Sequence, residues 1–380
     1  LLNVSAAGQV AVLEATFASG RWSMFAMAGA ALRFVLPLAL FGLLGPASAL
    51  LWGAAIEIVA TWIVRDWLQR RHIPMVRVGW REMWRIWTET ARYGAAFALT
   101  GIGDQTLAFS DRFIIGALIG PAAVGLYSTN YSIAEKLLIL VQAPLIYAAT
   151  PRVTSLWENN ARQEAVDLIR TALRWLTMMG APVVAFALVR GDFLSGLLLG
   201  QKYVEAHAVI PIVTASILLW AASQYGHVSF QLGKITWIIS LALLCAAAAN
   251  AVAVFALTST IGYIGGALGT GIGYLTYAVI IFIASRRRGP LPWNVPWSTV
   301  AHAACSAAVA AIVWRFVVPD RLGNVMDFCL AAVGGMIGLG VYLLLLVVFA
   351  ELALPRKGGA SFASILSLHS RRARPAEDVE

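Results

Sequence analysis

Asp111-Arg112-Phe113-Ile114-Ile115-Gly116-Ala117-Leu118-Ile119-Gly120-Pro121-Ala122-Ala123-Val124-Gly125-Leu126-Tyr127, running on through Tyr131 to Ile133-Ala134-Glu135-Lys136, decides how this chain is to be read. Two segments apolar enough to cross a bilayer meet at a tight Gly-Pro turn, with four charges inside them or at their rims. Ionisable groups are costly in hydrocarbon, so charges kept there usually have a job.

Composition carries the same message over the whole chain. Of 380 residues, 60% are hydrophobic and only 12% charged, and the mean hydropathy is +0.77. Globular chains carry about 25% charged residues. A helix needs roughly 20 apolar residues to cross about 30 Å of hydrocarbon. Runs of that kind lie near 1–19, 22–42, 46–64, 93–116, 122–149, 173–190, 208–232, 235–257, 261–284, 298–318 and 327–350. The sequence therefore predicts an all-α, polytopic membrane bundle of about eleven transmembrane helices; a membrane β-barrel would show ~10-residue alternating segments instead.

Lys and Arg set the expected orientation, because cytoplasmic loops retain positive charge. Alternate loops divide sharply. One set holds Arg21, then Arg65 to Arg92, then Arg152, Arg162, Arg170 and Arg174, then Lys234, Arg286 to Arg288, and the tail from Arg356 to Arg374, together 21 of the 28 basic residues. The other holds only Arg190, Lys202, Arg315 and Arg321, leaving Arg33, Arg112 and Lys136 within spans. A cytoplasmic C-terminus follows, and with eleven spans the first residue falls outside. Since the chain starts Leu1-Leu2-Asn3-Val4 with no positively charged leader, the expectation is a fragment preceded by an odd number of further spans.

The net charge of +9 needs no nucleic acid to explain it, since loop asymmetry and anionic inner-leaflet lipid account for it. Cys245, Cys305 and Cys329 fall in apolar spans, and five scattered His have no ligand spacing, so no metal or cofactor is expected. No Gly-rich phosphate loop with a Lys is present, which argues against nucleotide hydrolysis.

Organisation is clearest at Arg65–Arg92. Trp80, Trp84, Trp87 and Ala91 recur on one helical face, with Arg81, Glu82, Arg85 and Glu89 elsewhere; this describes an amphipathic helix, either lying at the headgroups or packed on the bundle's end. A second cytoplasmic helix is expected at 160–175, with Ala165, Leu168, Ile169, Ala172 and Leu176 as its apolar stripe. The region around Arg21 to Arg71 weakly echoes that from Lys234 to Arg288, the pattern of two similar lobes. The domains expected are 1–66, the remainder of an N-terminal lobe; 67–92, a cytoplasmic interlobe linker; 93–288, a C-terminal lobe; 298–350, an additional helix pair; and 351–380, a disordered basic cytoplasmic tail.

Asp111 to Lys136, Ala143-Pro144-Leu145, Thr150-Pro151-Arg152-Val153, Glu164-Ala165, Pro182, Leu199-Gly200, Tyr203 with Ala206, and Gly262-Tyr263-Ile264-Gly265-Gly266-Ala267 together resemble the polysaccharide-transporter branch of the multidrug/oligosaccharidyl-lipid/polysaccharide exporter superfamily. The resemblance covers most of residues 90–288. It implies two helical lobes, with these spans matching the family's helices four to fourteen, so that about three N-terminal helices would be absent. It also implies a bacterial inner-membrane flippase whose substrate is a polyprenyl-diphosphate-linked glycan. Membrane lipids, a polysaccharide polymerase and glycosyltransferases would be its partners.

Moving such a substrate requires a hydrated, cationic cavity, because glycan and diphosphate are both expelled from hydrocarbon. Arg33, Arg112 and Lys136 are the natural candidates, Arg being well suited to phosphate oxygens. Asp104, Asp111 and Glu135 are further cavity candidates, and Glu14, Glu57 and Asp104 are candidate ion-coupling carboxylates. For each the alternative is structural: Arg112 paired with Asp111 or Glu135, Lys136 paired with Glu135, Arg33 paired with Glu57 or Glu14. Asn130, Gln142, Gln224 and Gln231 could bond sugars or neighbouring helices. The competing functions are a multidrug antiporter, which would want an acidic or aromatic pocket, and a membrane glycosyltransferase or ligase, which would want a larger catalytic loop. A transporter that is not an enzyme is the expectation.

Overall fold

The computed structural model describes residue 29, residues 31–33, 35–42, 45–72, 79–319, 325–349 and 351. The expected span 1–19, residues 22–28 of the expected span 22–42, Glu14 and the tail beyond 351 lie outside the described residues. The chain divides into two units, Leu1–Glu89 and Thr90–Glu380.

In the first unit, helical residues 31–33 and 35–42 precede helix α1 (Pro46–His72). The two pack closely at Gly53, where an added Cβ would come 2.7 Å from Pro37 Cγ. Helix α2 (Trp80–Leu118) starts here and runs on into the second unit.

The sequence suggested a separate linker helix ahead of a span beginning near 93. Instead α2 is continuous for 39 residues. No proline interrupts it, and helices extend cheaply once begun. Trp80, Trp84 and Trp87 are exposed on its first turns, with ring centroids 6.4 and 5.0 Å apart.

The second unit continues with α3 (Pro121–Glu158), α4 (Arg162–Leu199), a 3-10 turn (Gln201–Ala206), α5 (Val209–Leu232), α6 (Trp237–Ile261), α7 (Tyr263–Arg288), α8 (Trp297–Val317) and α9 (Val325–Val348). Among the described residues, seven helices are long and apolar enough to cross a membrane, which makes the chain a polytopic helical bundle. The turn between α2 and α3 forms as the sequence suggests: Gly120 takes φ 119° and Pro121 opens α3, its missing N–H costing nothing at a first helical position.

The stripe Ala165, Leu168, Ile169, Ala172 and Leu176 is buried in the bundle. The expected cytoplasmic helix at 160–175 and the span at 173–190 are therefore one element, α4, broken only by a non-helical residue at Arg190.

Helices α6 and α7 meet along Gly265, Gly269 and Gly273, spaced by four so that they share a face. At Gly269 an added Cβ would lie 2.6 Å from the backbone nitrogen of Val254. The main core gathers Leu107, Ile115, Tyr127, Leu138, Leu145, Leu173, Phe230 and Tyr277. A second core docks the α8–α9 pair on α4, through Met178, Ala185 and Phe193 against Ala310, Trp314, Tyr342 and Leu346. Tyr342 Oη donates to the Met178 carbonyl at 2.6 Å, and Trp314 Nε1 to the Gly335 carbonyl at 3.1 Å. Outward, Phe113, Leu140, Tyr147 and Phe316 are each more than 70% exposed, a surface suited to lipid.

Candidate functional site

The charges of the opening stretch have separate fates. Asp111 is completely buried. Its Oδ2 accepts from Tyr127 Oη at 2.5 Å and from Thr270 Oγ1 at 3.4 Å, and its Oδ1 from the Arg112 backbone N–H at 2.7 Å. One carboxylate thus ties α2, α3 and α7 together. The Arg112 guanidinium is also occupied. Its Nη1 lies 3.4 Å from Asp111 Oδ1 and donates to the Ala108 carbonyl, while its centre stands 4.6 Å from the Tyr131 ring and 5.1 Å from the Phe109 ring. A cation between aromatic faces is held by their quadrupoles as well as by its anion.

Glu135 and Lys136 sit in the next helix with a side-chain separation of 3.5 Å, and the Lys136 side chain is 70% exposed. A pair so exposed is weakly held, and Lys136 is less engaged by its neighbours than Arg112. In the first unit Arg33 Nη2 reaches both Glu57 oxygens, at 3.4 and 3.3 Å. Glu57 is buried there while Arg33 is exposed. Of the coupling candidates, Glu57 is accounted for by this pair, Asp104 is exposed on α2, and Glu14 lies outside the described residues.

Nearby polar side chains line the same helices. Ser110 donates to Asn250 Oδ1 at 2.7 Å. Asn130 spans from the Leu126 carbonyl to that of Tyr203, an interhelical use rather than an open one. His227 Nδ1 is 2.7 Å from the Tyr277 hydroxyl. Among the described residues no three His, Cys, Asp or Glu side chains gather as a metal site would require.

Two sites escaped the reading of the sequence. Arg190, assigned to an outer loop by charge alone, is 2% exposed inside α4. Its Nε donates to the Trp314 carbonyl at 3.2 Å and its Nη2 to those of Arg315 and Val318. It caps the C-terminal end of α8, where the last-turn carbonyls and the helix dipole favour a cation. Nothing in sequence pairs residue 190 with residues 314–318.

Glu351, placed at the head of the basic tail, is buried. It binds Arg174 Nη2 at 2.9 Å, Thr299 Oγ1 at 2.8 Å and His302 Nδ1 at 2.9 Å. Burial alone would raise its pKa; the three hydrogen bonds, from His302, Thr299 and Arg174, and the Arg174 charge outweigh it and hold the carboxyl below the usual glutamate range.

A cavity of about 680 Å³ opens among α4, α5, α7 and α8. Leu188, Leu218, Val279, Phe282, Trp293 and Ala308 represent its almost wholly apolar wall. Thr177 is one of the few polar side chains on it.

Fold and site together define a polytopic helical membrane protein with buried charge networks and an apolar groove. A family model described as polysaccharide biosynthesis protein matches residues 2–208, more than half of the chain, and the chain belongs to that family. Among solved structures, the lipid II flippase MurJ in its inward closed conformation is similar in fold, with a TM-score of 0.67 at 12% identity, covering 85% of this chain and 67% of that one. No curated protein sequence matches the chain.

Proposed function

We propose that the protein is a flippase that carries lipid-linked oligosaccharide or polysaccharide precursors across the bacterial inner membrane, two helical lobes alternately opening a central path to either side. Residues 1–66 would belong to one lobe, 67–92 to the link between them, and 93–288 to the other, with the C-terminus in the cytoplasm. The observation that carries this reading is the groove of about 680 Å³. It lies where the additional helix pair joins the bundle, and its apolar wall suits a polyprenyl tail that stays in hydrocarbon while the polar head crosses. Membership in a polysaccharide biosynthesis family and the MurJ-like fold support it. Glycosyltransferases that build the glycan and a polymerase that uses it would be its partners.

The polar head requires cations at the path. Lys136 is the leading candidate because it is exposed and weakly paired, with Arg33 next through its exposed side chain. Asp104 and Glu135 are further candidates to line the path, while Asp111 and Arg112 would keep the helices of their own unit in register. The test is translocation of a fluorescent polyprenyl-diphosphate glycan in proteoliposomes holding the full chain, with Arg33, Arg112 and Lys136 replaced singly by Ala. Loss in Lys136→Ala and Arg33→Ala supports the reading. Unchanged transport in all three, or transport of organic cations in place of the glycolipid, overturns it.

A further inference from the structure

The environment of Glu351 is an anion site built by other parts of the chain. Arg174 comes from α4, and Thr299 and His302 from the first turns of α8, so donors from two helices converge on one point. An ionised carboxylate can only accept, so His302 Nδ1 donates as well. The point also lies near the N-terminal end of α8, where the helix dipole favours negative charge.

The carboxylate does not use all that the site offers. Oε2 takes Arg174 Nη2 and Thr299 Oγ1, Oε1 takes His302, and Arg174 Nε is buried with no partner. Nε and Nη2 lie along one edge of the guanidinium, the edge that grips two oxygens of a phosphate in parallel. A tetrahedral phosphate has the further acceptor oxygen that Glu351 lacks. The donors are also next to the apolar groove: Leu173 and Thr177 flank Arg174 on α4, and Val300 and Ala304 flank His302 on α8.

We infer that Arg174, Thr299 and His302 form a binding site for the phosphate group of a membrane lipid whose chain lies in the groove, and that Glu351 is a built-in competitor occupying the site in this structure. Displacing Glu351 would free the end of α9 from α4 and α8, so occupancy of the site would be coupled to the docking of that end. The inference rests on reading the groove as a lipid-chain track, and it holds whether or not the lipid bound there is the one transported.

The test measures binding by the full chain in phosphatidylcholine nanodiscs doped with phosphatidate, with inorganic phosphate as the soluble probe. Glu351→Gln keeps the shape and removes the competing charge; phosphatidate binding should tighten by about tenfold or more, the worth of a charge-assisted hydrogen bond. Adding Arg174→Gln to that variant should abolish the gain. Ala308→Trp, which fills the groove away from the donors, should weaken phosphatidate binding and leave inorganic phosphate binding as it was. Equal affinity of Glu351→Gln and the parent protein for phosphatidate, or no loss on adding Arg174→Gln, would overturn the anion site. If the Glu351 and Arg174 variants behave as expected but Ala308→Trp has no effect, or if inorganic phosphate binds as tightly as phosphatidate, the groove reading fails and the lipid assignment with it.

Discussion

Tyr127 Oη donates to Asp111 Oδ2 at 2.5 Å with both side chains fully shielded, so the first helix hairpin of the larger unit is fastened by a hydrogen bond to a carboxylate. Removing a donor from a buried charged acceptor costs more than the bond contributes, because the acceptor stays behind unsatisfied. Tyr127→Phe should destabilise the protein by about 1–3 kcal/mol, read as a lower unfolding temperature in detergent. Thr270→Val should cost less, since the Thr270 bond to Asp111 is long at 3.4 Å and its hydroxyl also reaches the Gly266 carbonyl.

Arg112 and Lys136 should separate cleanly when transport and stability are measured on the same variants. Arg112 is engaged by Asp111, the Ala108 carbonyl and two aromatic rings, so Arg112→Ala should lower the unfolding temperature. Lys136 has one weak neighbour and an exposed side chain. Lys136→Ala should therefore leave the unfolding temperature unchanged within about 0.5 kcal/mol while reducing glycolipid translocation. A stability loss confined to Lys136→Ala would reverse the two roles.

The C-terminal latch should respond to acid. Glu351 has its carboxyl held below the usual glutamate range by its hydrogen bonds and the Arg174 charge, despite burial. A group depressed in the folded state contributes stability that is present above its unfolded pKa and is lost as pH falls through the folded value. The hold of Glu351 on the end of α9 should be full at neutral pH, weaken as pH falls into the ordinary glutamate range and be lost below it. Hydrogen exchange of the amides around Thr299 and His302, followed against pH, should show this step, and Glu351→Gln should remove it.

Arg190 supplies a sharper test of how the helix pair is held. It is buried at the kink in α4 and serves three carbonyls at the end of α8. Arg190→Met keeps much of the volume and takes the charged donor away from those carbonyls, of which that of Trp314 keeps the Val318 N–H; the loss should cost on the order of 3 kcal/mol. Arg190→Lys retains the charge but not the planar fork, so it should fall between. Amide exchange at residues 314–318 should accelerate in the same order.

What the sequence reveals and what it hides follow from the range of the interactions. The hairpin at Gly120-Pro121 is legible because a turn and two apolar runs are local, and the bundle is legible because span length is set by the bilayer. The junctions inside α2 and α4 are not: amphipathic and apolar stretches look like separate elements in composition, yet no residue breaks the backbone between them. The charged pairs adjacent in sequence, Asp111 with Arg112 and Glu135 with Lys136, are visible, and Arg33 with Glu57 is one of two choices offered. Arg174 with Glu351 joins residues far apart in the chain, which no periodicity predicts. Arg190 misleads outright, because counting charges assigns it to a loop while the kink buries it.

The glycine stripe of α7, regular at four-residue spacing, yields the clearest packing prediction. Gly269 faces α6 so closely that an added Cβ would stand 2.6 Å from the Val254 nitrogen and 2.8 Å from its Cα. Backbone atoms cannot rotate away as a side chain could, so α6 and α7 must part to admit the methyl group. Gly269→Ala should destabilise by about 1–3 kcal/mol or more. Gly125 in α3 is the control, since an added Cβ there meets nothing within 4 Å and alanine is the better helix former by about 1 kcal/mol. Gly125→Ala should therefore leave the unfolding temperature unchanged or raise it. Close glycine contacts let membrane helices pack without the hydrophobic effect that water provides elsewhere, so the two variants should diverge in detergent and in bilayers alike; equal behaviour would remove the stripe from the account of how α6 and α7 hold together.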